Sequence, residues 1–155
     1  MARATRRFRL SPRLANVRTT NGRDTTSLPA SELRLPARRS ELGTARKFAE
    51  DVATAYGLDA NGRYEFVVAA NEAVTNAIRH GASDSDGLIR LSIDADGDRL
   101  TFAVRDHGTF VMPAVDTVAQ AERGRGLALM ASLVDEVELR IEPGGTTVCL
   151  SKARA

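Results

Sequence analysis

Glu72 and Asn76 stand four residues apart in Glu72-Ala73-Val74-Thr75-Asn76, one turn of a helix, so a carboxylate and an amide share one side. An amide oxygen is a hard, neutral ligand suited to Mg²⁺ that phosphates also hold, and a carboxylate one turn away can accept a proton. By helical phase both point away from the Ala70/Val74 stripe, where an ordinary solvated polar face is equally at home. His80 follows one turn later at the helix end, a position that an end cap also explains.

A second group lies on strands. Leu100, Phe102, Val104 and Asp106 share one parity and therefore one face. That face is apolar, so a carboxylate at its end needs a donor to offset desolvation. The amino group of adenine is one candidate donor, and the turn amides of His107-Gly108 are another. Thr146, in phase with Val148 and Leu150, brings a hydroxyl to the same inner face at a strand start. A third group is Gly124-Arg125-Gly126, directly before a helix that opens at Leu127. Free amides and a helix N-terminus there suit an anion, with phosphate the obvious guest, although glycine is common at helix starts that bind nothing. Competing motifs fail: there is no GxxxxGK[ST], no third glycine or preceding strand for a dinucleotide fingerprint, and no GxSxG to accompany the two histidines.

The elements that must position these groups follow from periodicity. Glu32–Pro36 is a short edge strand, because Pro36 cannot donate to a ladder. Ser40 is placed to cap a helix running to Tyr56, with Leu42, Ala45, Ala49, Val52 and Tyr56 as its buried face and Gly57 as its left-handed end. Asp59 caps a longer helix to about Arg79, with Phe66, Val67, Ala70, Val74, Ala77 and Ile78 inward and Gly81 ending it. Residues 88–95 and 99–106 alternate about Asp96-Gly97-Asp98, a tight hairpin. Residues 107–123, which include Pro113, read as a loop or lid with room for one helical turn. A helix from Gly126 to Val134 and a second hairpin, residues 137–141 and 146–150, complete the order β-α-α-β-β-loop-α-β-β. That order predicts an α/β (α+β) two-layer sandwich: a mixed, largely antiparallel sheet covered on one face by helices.

Composition bounds the setting. The chain of 155 residues, 43% hydrophobic, suffices for one domain with a buried core. Residues 1–24 hold seven arginines against one acid, a surplus of six that, with a total of +2, leaves the remainder at −4. Residues 1–30 are accordingly expected to be a disordered basic arm, and 31–155 the functional domain. Cys149 is the single cysteine, which excludes an internal disulfide and fits a reducing, cytoplasmic location. No apolar run approaches the ~20 residues of a membrane span, so no membrane partner is expected.

Taken in order, four segments resemble the boxes of the GHKL ATPase superfamily, and most closely its anti-sigma factor serine/threonine kinases. Glu72 to His80 looks like the N box, Asp106-His107-Gly108 like the first half of the G1 box, Gly124-Arg125-Gly126-Leu127 like the G2 box, and Gly145-Thr146-Thr147-Val148 like the last box. Phe110 stands where the fuller G1 pattern has a second glycine. The resemblance, from about Leu33 to Lys152, implies a Bergerat ATP-binding fold with ATP and Mg²⁺. In it Asn76 ligands the metal, Asp106 and Gly108 form the adenine end with Thr146 in support, Gly124, Arg125, Gly126 and Leu127 cradle phosphates, and Glu72 is the general base. It further implies a kinase that phosphorylates a serine of a STAS-domain anti-anti-sigma protein and sequesters a sigma factor, as a homodimer. A non-catalytic, ATP-dependent binding module is the alternative. A direct nucleic-acid role through the arm is not expected, given the acidic remainder and the lack of aromatic-basic interleaving.

Overall fold

The computed structural model describes residues 6–10, 32–81, 87–107, 118–142 and 144–154. Its elements are β1 (Arg6–Leu10), β2 (Glu32–Pro36), a 3₁₀ turn (Arg39–Glu41), α1 (Leu42–Tyr56), α2 (Ala60–Gly81), β3 (Leu88–Asp96), β4 (Arg99–Asp106), α3 (Val118–Leu133), β5 (Glu136–Glu142) and β6 (Gly145–Ala153). The strands form one sheet in the order β1-β5-β6-β4-β3-β2, with every described pair antiparallel. This is the expected two-layer α/β sandwich.

Local chemistry sets most boundaries. Gly57 ends α1 at φ 88°, its N–H bonding to the carbonyls of Ala53 and Thr54, a conformation that costs glycine no Cβ clash. The Asp59 carboxylate accepts from the Gly62 N–H at 2.7 Å and caps α2 as expected. Gly97, at φ 55°, turns the β3–β4 hairpin. Ser40, however, does not cap α1. It lies inside the 3₁₀ turn, and Glu41 occupies the N-cap without a side-chain bond.

The core lies between the helices and one sheet face. Strand alternation sends Leu100, Phe102 and Val104 of β4 inward with Ile89, Leu91 and Ile93 of β3, where they meet Ala49 and Val52 of α1 and Phe66, Ala70, Ala73 and Val74 of α2. Phe66 meets Phe102 edge to face, with centroids 5.8 Å apart at 88°. Lys152, on the inner face of β6, donates to the Glu65 carboxylate at 2.8 Å and to the Leu133 carbonyl at 3.0 Å, tying the end of α3 to α2 and the sheet.

Two expectations need correction. Arg6–Leu10, within the segment read as a disordered arm, forms an edge strand on β5, with Phe8 opposite Leu139. Five alternating residues are too few for periodicity to stand out from an arginine-rich background, and only the open edge of β5 supplies a partner. The third helix begins at Val118 rather than Gly126. Residues 118–123 contain good helix formers that weak amphipathic periodicity concealed.

Candidate functional site

The sheet brings Asp106 and Thr146 together. Asp106 ends β4, Thr146 is the second residue of β6, and the two are direct cross-strand partners. Both are inward and buried, Asp106 at 8% and Thr146 at 4% exposure. The Thr146 hydroxyl is buried without a hydrogen-bond partner among the described residues. Burying a hydroxyl unsatisfied costs about 1–3 kcal/mol, so a ligand that supplies its partner recovers that energy on binding.

Gly145 makes this approach possible and was not singled out by its chemistry in the sequence. A Cβ on Gly145 would run into the Asp106 carbonyl, so only glycine lets β6 start this close to the end of β4. A glycine immediately before an inward threonine was the available signal. Alongside, His107 Nδ1 lies 3.3 Å from the Gly144 carbonyl oxygen, joining the two chain ends around the pair.

The helices bring Glu72, Asn76 and Gly126 together. A Cβ built on Gly126 would lie 3.1 Å from Asn76 Nδ2 and 3.6 Å from both Asn76 Oδ1 and Glu72 Oε2. Gly126 is buried, and Glu72 and Asn76 are half-buried. The polar side of α2 is therefore no free solvated face: α3 packs against α2 there, and the missing side chain at Gly126 leaves the carboxylate and the amide their space. Since α2 also packs on β4 and β6, one helix spans between the Glu72/Asn76 group and the strands that carry Asp106 and Thr146.

The remaining expected residues divide. Arg125 is exposed on α3 and Leu127 is half-buried against the core, while Gly124 falls within the same helix. Because α3 starts at Val118, the amides of residues 124–127 lie inside the helix and not at its N-terminus. Gly108 and Phe110 lie outside the described residues, as does the side chain of His80. No group of three or more His, Cys, Asp or Glu suited to a metal occurs among the described residues.

Residues 35–152 match the histidine kinase-like ATPase domain family. The chain belongs to that family, the GHKL group, on the branch of the anti-sigma factor serine kinases. It is 31% identical over 140 residues to the serine-protein kinase RsbW of Bacillus velezensis, covering 82% of this chain and 87% of that one. It is 33% identical to RsbW of Bacillus pumilus over 136 residues, covering 78% and 83%. The anti-sigma F factor of Thermoanaerobacter sp. is 31% identical over 118 residues, covering 68% and 82%. The fold is similar to the crystal structure of the RsbU and RsbW domains of Rv1364c from Mycobacterium tuberculosis, with a TM-score of 0.58 and 24% identity over 81% of this chain; it spans about a third of that longer chain, 33%. Among the described residues no helix is long and apolar enough to cross a membrane.

Proposed function

We propose that the chain is an ATP-dependent serine/threonine protein kinase and anti-sigma factor, acting in the cytoplasm as a homodimer, with its nucleotide site within residues 31–155. The observation that carries the reading is the convergence of Glu72 and Asn76 from α2 on Gly126 of α3, residues from two of the segments that resemble the family's boxes, within the stretch that matches the family. Asp106 receives the adenine amino group, the Thr146 hydroxyl gains the partner it lacks among the described residues, and Gly108, outside the described residues, belongs to the same binding set. Asn76 would hold Mg²⁺, which would supply charge neutralisation at the phosphates.

In the transfer step Glu72 accepts the proton of a serine hydroxyl on a STAS-domain anti-anti-sigma protein. The serine oxygen bonds to the γ-phosphorus as the bond to the bridging oxygen breaks, and ADP departs with that electron pair. Phosphate contact by Gly124, Arg125, Gly126 and Leu127 requires amides now inside α3 to be released. Glycines in a helix interior cost up to about 1 kcal/mol each relative to alanine, so α3 is weakest where release is needed. The same protein sequesters a sigma factor.

Calorimetry on Asn76→Ala tests the site: Mg²⁺-dependent ATP binding is lost, and unchanged binding would remove the nucleotide assignment. Glu72→Gln retains ATP binding and loses phosphate transfer to the partner recovered by pull-down. A wild-type protein that binds ATP but phosphorylates no STAS-domain partner would instead be an ATP-gated binding module.

A further inference from the structure

Lys152 puts a charge where its strand calls for an apolar residue. It follows Thr146, Val148 and Leu150 on the inward face of β6 and stands opposite Leu100 of β4, and its side chain is only 12% exposed. The ammonium is held between two helices. It donates to Glu65 Oε2 of α2 at 2.8 Å and to the Leu133 carbonyl, at the end of α3, at 3.0 Å. The other oxygen of the Glu65 carboxylate accepts from the Asn61 amide at 3.1 Å. A buried ion pair is weak evidence of stability, because apolar side chains of the same volume often serve as well. It does add direction, since its donors must meet their acceptors at defined distances.

Seven residues separate Glu65 from Glu72 on α2, and seven separate Leu133 from Gly126 on α3. The two helices pack on each other. Lys152 joins them at Glu65 and Leu133, and Gly126 meets Glu72 and Asn76, so α2 and α3 run in opposite directions. The two junctions lie about 10 Å apart along both axes, and together they fix how one helix is placed along the other. The second junction tolerates little error. A Cβ on Gly126 would come within 3.1 Å of Asn76 Nδ2, and a screw displacement of α3 by one residue, about 1.5 Å, brings Arg125 or Leu127 to that place instead.

We infer that Lys152 is a positioning residue for the phosphate end of the nucleotide site: by bonding α2 and α3 at once it sets their register, so that Gly126 falls opposite Glu72 and Asn76. This role rests on the nucleotide site proposed above. The adenine end does not depend on the pin, because Asp106 and Thr146 are paired by the backbone ladder of β4 and β6. Nor does the pin hold the amides of residues 124–127 closed. It sits at the C-terminal end of α3, where Asp135, just past the helix, also bonds to β6. The Asp135 N–H donates to the Ser151 carbonyl at 2.9 Å, and its carboxylate accepts from the Ala153 N–H at 2.6 Å. That end is a fixed base from which the glycine-containing turns can open.

The test compares the binding of adenosine and of ATP with Mg²⁺ by calorimetry, in the full chain and in its Lys152→Met variant, which keeps the aliphatic stem and loses the ammonium. Mg²⁺-dependent ATP affinity is expected to fall at least about tenfold, the scale of losing a group that orients a ligand, while adenosine affinity stays as in the wild type. Lys152→Gln keeps a neutral donor and should show a smaller loss in the same direction; it decides the matter should thermal unfolding show that Lys152→Met does not fold. A lysine that serves stability alone would leave both affinities unchanged in a folded variant or lower both together, and either result overturns the inference. Wild-type protein that binds neither ligand removes the nucleotide site itself, and the role of Lys152 with it. Wild-type protein that binds both, with folded variants that lose neither or lose both equally, removes the role of Lys152 alone.

Discussion

Thr146 is the residue whose environment says most about a ligand. Its hydroxyl is buried without a partner among the described residues, opposite Asp106. Thr146→Val removes a desolvated hydroxyl while keeping the shape, so it is expected to raise the stability of the nucleotide-free protein by about 1 kcal/mol. ATP affinity should fall in the same variant. Thermal unfolding and calorimetry together check this, since a purely structural threonine would not move the two in opposite directions. Gly145→Ala acts otherwise: its Cβ meets the Asp106 carbonyl, and overpacking against backbone is expected to destabilise by about 1–3 kcal/mol. Gly126→Ala crowds Asn76, so its signature is weakened Mg²⁺-dependent ATP binding in a folded protein.

At the scale of elements, α3 holds two adjustable features. Gly124→Ala should stabilise the helix by about 0.5–1 kcal/mol yet weaken ATP binding if residues 124–127 must leave the helix to meet phosphates. Hydrogen exchange with and without nucleotide reads the release directly. At the other end of α3, the Lys152 bond to Glu65 is the main cause that holds the Glu65 carboxyl below its ordinary range, with burial opposing it. The folded state thus takes up the proton less readily than the unfolded chain, whose glutamate titrates near about 4.3. This contribution is complete above that value and is lost as pH falls through it toward the lower folded value. Lys152→Met should flatten the acid limb of stability between those limits, measured by denaturant titration across pH.

For the whole molecule, β1 adds an edge to a sheet whose remaining strands come from residues 32–153. Deleting residues 1–30 should leave ATP binding intact, because no proposed site residue lies there. The deletion bares the ladder of β5, and exposed edges invite pairing with other chains. Increased self-association of the truncated protein in light scattering is the expected outcome, and loss of ATP binding would contradict the domain boundary.

Much of this protein was legible in its residue types. The period-two runs of β3, β4, β5 and β6, the glycines at 57 and 97 and the Asp59 cap are local physics, and the inward phase of Asp106 and Thr146 followed from parity alone. What neighbours decide was not legible: whether Arg6–Leu10 pairs depends on the open edge of β5, and whether residues 118–123 are helical depends on more than their weak periodicity. Glu72 and Asn76 read in the sequence as either a solvated face or a site. Only the packing of α3, with Gly126 against both side chains, removed them from an ordinary surface, because contacts between elements distant in the chain leave no periodic trace in either.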